Sequence, residues 1–154
     1  MDYVTVKWLH ILSSTILFGT GIGSAFYLLV SSLGNDARTV AAVAKYVVIA
    51  DWLFTATTAI IQPLTGFYMV FMVGMPVGSK WIMWSTGLYA VALCCWLPVV
   101  WLQMKLRDLA RQAADDHTGL PLQYWRYFKI WAALGIPAFF AFVAIFYLMV
   151  AKPQ

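Results

Sequence analysis

Four apolar stretches, residues 7–31, 46–73, 81–104 and 130–150, fill most of this 154-residue chain. Each runs to about 20 residues or more, the length a helix rising ~1.5 Å per residue needs to cross ~30 Å of hydrocarbon. Composition agrees, with 63% hydrophobic and 10% charged residues and a mean hydropathy of +0.80. A water-soluble domain of this size cannot bury that much apolar surface, so the solvent must be lipid. The expected fold is all-α: one domain, 1–154, a four-helix transmembrane bundle with hardly any loop. A soluble catalytic module is excluded. Glycine-rich phosphate loops, zinc-type cysteine spacings and serine-nucleophile elbows are absent from the sequence.

The net charge of +4 does not point to nucleic acid, because the basic residues flank the spans and set topology. Arg38, Lys45, Lys105, Arg107, Arg111, Arg126 and Lys129 fall in the connections between spans one and two and between spans three and four. Lys7, Lys80 and Lys152 fall at the opposite ends. The positive-inside bias then puts both connections in the cytoplasm and both termini outside, periplasmic if the membrane is a bacterial inner membrane. The N-terminus is expected to be a retained helix: Gly23-Ser24-Ala25 offers small residues for cleavage, but Met1-Asp2 is no basic leader and the apolar run is too long. Cys94 and Cys95 are adjacent inside span three and are expected to pack as free thiols.

The third helix is expected to run past the bilayer through residues 107–111 and to stop near Thr118-Gly119. Pro121 suits the first turn of a separate, aromatic-rich interfacial helix. Pro63, Pro98 and Pro137 stand inside spans two, three and four, and each frees a carbonyl that a neighbour must satisfy. Gln62, beside Pro63, is expected to serve that purpose.

At ~100° per residue the polar positions fall into stripes. In span one the stripe is His10, Ser13, Ser14, Leu17, Gly21, Ser24 and Ala25. In span two it is Asp51, Thr55, Thr58, Gln62, Thr65, Gly66 and Met69. A weaker one in span three is Lys80, Trp84, Gly87, Val91, Cys94, Pro98 and Lys105. Small and polar faces in lipid turn toward protein, so a polar seam is expected between helices one to three, with span four as a packing helix. Asp51 and Gln62 are the expected buried polar residues. Such stripes also serve simply as helix-packing contacts, and the alternative of a non-enzymatic membrane accessory or assembly protein stays open.

His10, ~6 Å inside the outer boundary by helix rise, is a titratable group within the span and so a candidate site. Its imidazole suits a haem iron, with Ser14 and Gly21 leaving room for a flat macrocycle. His117 lies across the membrane, so Lys80 or a methionine such as Met69 would have to be the second ligand. His10 with Met69, Met72, Met75 and Met83 is alternatively a soft donor set for copper. The bilayer is the expected partner, joined under the haem reading by a membrane redox protein or a second copy of the chain.

Several segments carry a resemblance: Lys7-Trp8-Leu9-His10-Ile11-Leu12, Phe18-Gly19-Thr20-Gly21, Gly78-Ser79-Lys80-Trp81, Trp96-Leu97-Pro98-Val99-Val100-Trp101-Leu102-Gln103 and the ending Leu148-Met149-Val150-Ala151-Lys152-Pro153. Over nearly its whole length the chain resembles an uncharacterised family of short bacterial integral membrane proteins, a domain of unknown function. That resemblance implies four helices and no known activity. More distantly, the first-helix histidine and the lysine opening span three are similar to HemJ-type protoporphyrinogen oxidases, which implies haem b held by His10 and Lys80. CopD-like copper-resistance domains have a comparable histidine. The chain departs from the HemJ type at residues 31–36, where an arginine-containing motif is replaced by Ser-Ser-Leu-Gly-Asn-Asp.

Overall fold

The structure is a computed structural model and describes residues 2–153. It contains four helices long and apolar enough to cross a membrane: α1 (Tyr3–Leu33), α2 (Ala37–Met72), α3 (Lys80–Asp115) and α4 (Leu122–Ala151). At ~1.5 Å per residue, the 36 residues of α2 and of α3 exceed what the hydrocarbon needs, so both extend beyond it or tilt. The expected spans sit inside these helices, except that the second overruns α2 by its last residue, Val73. The separate interfacial helix is not formed. Pro121 caps a single helix that runs on through span four, because a proline at a helix start costs no hydrogen bond and nothing after it breaks the helix.

Short turns join the helices. Asp36 caps α2, its carboxylate accepting from the Thr39 hydroxyl and from the Thr39 backbone N–H at 3.0 Å. These bonds hold the exposed Asp36 carboxyl below the usual aspartate range. A lowered folded-state value makes the contribution present above the ordinary value of about 3.9, and lost as pH falls through the folded value. Asp36→Ala should therefore weaken hydrogen-exchange protection of the Thr39 amide near neutral pH. The gap between variant and wild type should close as the sample is acidified through that lowered folded-state value.

The bundle is packed unevenly. At the Asp36 end, Leu28 of α1, Val40, Ala44 and Val47 of α2, Leu102 and Leu106 of α3 and Tyr124 and Phe128 of α4 form one buried core. The Ser32 hydroxyl and Tyr124 phenol sit 2.6 Å apart within it. Arg38 donates to His117 Nδ1 at 3.0 Å, which brings the two basic connections to the same end, as the charge split requires. Toward the other end the partners separate. The second half of α2 packs on α1, while α3 packs chiefly on α4 and on the first half of α2.

The change of partner falls at a wide turn, Asp51–Thr55, where α2 adopts π-helical hydrogen bonding. Such turns add a residue to the local ring and rotate the helix beyond them. Before it the buried line is Ala37, Val40, Ala44, Val47 and Val48; from its last residue on, it is Thr55, Thr58 and Gln62. Asp51, the first residue of the turn, is itself buried.

The stripe expected on span three is on the wrong side. The buried face of α3 carries Ile82, Ser85, Ala92, Val99, Gln103 and Leu106, whereas Trp84, Gly87, Val91 and Cys94 are exposed. Ser85 and Gln103 are 18 residues apart, five full turns at ~3.6 residues each, and so share one face. Large apolar side chains meet lipid at no cost, while a hydroxyl and an amide need protein, so this pair, and not the line through Trp84, marks the inner face.

A candidate binding cleft around His10

His10 is buried on α1, and both its ring nitrogens are engaged by α2. The Thr65 hydroxyl donates to the Ile61 carbonyl at 2.8 Å, so at His10 it accepts, and Nδ1–H donates to it at 2.9 Å. Nε2 then carries the lone pair and accepts from the Gln62 amide nitrogen at 3.2 Å. The Gln62 carbonyl oxygen accepts in turn from Ser13. This chain of donors and acceptors is complete for a neutral imidazole in one assigned tautomer. Gly66 makes the approach of the helices possible: a Cβ there would stand 3.2 Å from His10 Cε1.

Gln62 therefore does not serve the carbonyl freed by Pro63. That carbonyl belongs to Ala59, four residues earlier, and it accepts from the Tyr89 hydroxyl of α3 at 2.5 Å. Sequence reasoning passed over Tyr89, although a tyrosine four residues after Ser85 on the inner face of α3 was the signal available.

Beside this network lies a partly enclosed cleft of about 520 Å³, with walls from all four helices. Its polar lining includes His10, Ser14, Gln62, Ser85, Thr86 and Tyr89; the rest is largely apolar, with Phe67 and Val70 of α2 and Phe142, Ile145 and Phe146 of α4. Phe18 of α1 crosses to α4 and packs on Phe139 and Phe146, with ring centroids 5.8 and 5.1 Å away. The Ser85 hydroxyl is buried and has no hydrogen-bond partner among the described residues.

The candidate residues from the sequence divide. His10, Ser14, Gln62 and Met69 line the cleft together. Gly21 does not. It is exposed and lies one turn beyond Leu17, the last α1 residue to line the cleft. Lys80 is not there either: it lines a separate depression with Trp84, Leu88 and Tyr147. Met75 reaches the cleft, whereas Met72 and Met83 are exposed and do not line it.

These placements decide how a haem or copper ion would fit. An axial ligand must offer a lone pair, and the one on His10 is taken by Gln62. Its supposed partner Lys80 stands outside the cleft, and no group of three or more His, Cys, Asp or Glu side chains converges anywhere among the described residues. Lys80 therefore does not face His10 across the cleft, whereas Met69 and Met75 share the cleft with it.

Asp51 forms a second buried polar group at mid-bundle. It accepts from the Thr55 hydroxyl at 2.9 Å, and the Gln103 side-chain amide lies against it. Among the described residues Asp51 forms no ion pair. Asp51 and Gln62 are thus buried as their stripe required, and Gln103 was missed.

Four membrane-length helices closed on a polar interior define a multi-pass integral membrane protein. The chain belongs to the family DUF2269, predicted integral membrane proteins, which it matches over residues 4–153. No curated protein and no solved structure matches it. The distant likeness to HemJ-type and CopD-like proteins finds no support in these comparisons.

Proposed function

We propose that this protein binds an amphipathic small molecule taken from the bilayer, in the cleft beside His10. The cleft carries the reading. Its volume of about 520 Å³ lies within the ~300–1,000 Å³ typical of ligand sites, and its apolar walls converge on a few fixed polar groups. The network with Thr65 fixes His10 and Gln62 in the cleft wall, and the unpartnered Ser85 hydroxyl offers a hydrogen bond to a bound molecule. By the seven-to-three split of basic residues the cleft faces the outer leaflet, periplasmic in a bacterial inner membrane.

Native mass spectrometry after gentle detergent extraction tests this. Wild type should retain one amphiphile per chain, and Ser85→Leu, which pushes a larger side chain into the cleft wall, should retain at least tenfold less. Equal, non-stoichiometric retention by both proteins would overturn the reading. A Soret band in wild type that disappears in His10→Ala would replace it with the haem reading.

A further inference from the structure

The charges at the mouth of the cleft carry the assignment further, resting on that binding reading. Lys7 lines the cleft one turn before His10, and Lys152 lines it from the far end of α4. The Lys152 ammonium sits 5.7 Å from the centre of the Trp81 ring, itself a cleft residue of the kind found at membrane interfaces. None of the lining residues is acidic. Among the described residues, the ion pairs are Arg107–Asp108 and Arg111–Asp115, both on the stretch of α3 toward the opposite end. The site thus joins a long apolar cavity to two cations not neutralised by an ion pair, at the level where headgroups lie.

We infer that the ligand is an anionic phospholipid, its phosphate held between Lys7 and Lys152 and one acyl chain laid along the cleft. A zwitterionic headgroup brings its own cation together with its phosphate, and so supplies the two lysines with no net counter-charge. A free anion would gain nothing from the apolar walls, which run from Tyr3 and Val150 at the mouth down to Pro63 and Phe142. Juxtamembrane basic residues facing anionic lipid contribute enough that two of them should favour phosphatidylglycerol over phosphatidylcholine of the same chains by roughly 30-fold.

Competitive titration of delipidated protein with those two lipids, read by native mass spectrometry, measures the preference. In Lys7→Gln/Lys152→Gln it should shrink to within about twofold, because phosphatidylglycerol should lose more affinity than phosphatidylcholine. Inorganic phosphate in excess should leave the lipid bound. If wild type binds both lipids equally, the anionic assignment fails while the cleft reading stands. If it binds neither, the cleft reading itself fails. Displacement by inorganic phosphate would make this a free-anion site and overturn the lipid assignment.

Discussion

Gly66→Leu is expected to force His10 out from between α1 and α2 and to lower stability by about 3 kcal/mol. A Cβ at this position already meets His10 Cε1 at 3.2 Å, so a leucine side chain must displace the ring or fill the cleft that Gly66 lines. Overpacking of this kind costs about 1–3 kcal/mol. Losing the bonds to Gln62 and Thr65 adds to it, interhelical hydrogen bonds in membranes contributing ~0.6 kcal/mol on average and up to ~1.7. Gly66→Ala should behave differently. Its methyl displaces the ring by only a few tenths of an ångström, and alanine gains up to ~1 kcal/mol of helix propensity over glycine, so the net change should be near zero. Unfolding in mixed detergent micelles separates the two. The double variant Gly66→Leu/His10→Ala should recover part of the loss, because the ring that clashes is gone. A leucine variant as stable as wild type would show that the two helices do not meet closely at this point.

Tyr89→Phe should cost about 2 kcal/mol by the same measurement, through the Ala59 carbonyl and not through lost packing. Phenylalanine fills the same space but leaves that carbonyl bare at membrane depth. The carbonyl depends on Tyr89 only because Pro63 has no N–H to offer it. In a Pro63→Ala background the backbone supplies the missing bond, and Tyr89→Phe should then cost less than about 0.5 kcal/mol. The coupling across this cycle, about 1.5 kcal/mol, is the quantity to measure. Additive effects would mean that Tyr89 and Pro63 act independently.

The legible part of the fold is the part that local patterns encode. Apolar length sets the number of spans and leaves their ends open, because helices continue into water wherever no breaker stops them, as α3 does to Asp115. The polar stripes of α1 and α2 are readable because hydroxyls, an amide and an imidazole recur there at helical spacing, and in lipid they must face protein. The α3 stripe misleads because Lys80 and Lys105, near the two ends of the crossing, fall on one line and imitate an inner face. Charges near helix ends reach toward headgroups and so need not mark the inner face. Gly21 misleads for a subtler reason: it shares the arc of His10 and Ser14, but a face says nothing of depth, and the cleft's α1 wall ends a turn earlier at Leu17. Tertiary partners such as Tyr89 with Ala59 join residues 30 positions apart, and no local period records that pairing. Nor does composition reveal the wide turn at Asp51–Thr55, whose residues include nothing that forbids a regular helix.

That turn makes a single crossing behave as two half-membrane elements whose rotational phase is set separately. The first half of α2 is oriented to complete a close-packed core, and the second to present Gln62, Thr65 and Gly66 to His10. A regular helix would tie the two together, so that turning either face would turn the other. Here the phase offset decouples them. One leaflet can hold a rigid anchor while the other keeps a cleft whose lining is free to change, within a chain of only 154 residues.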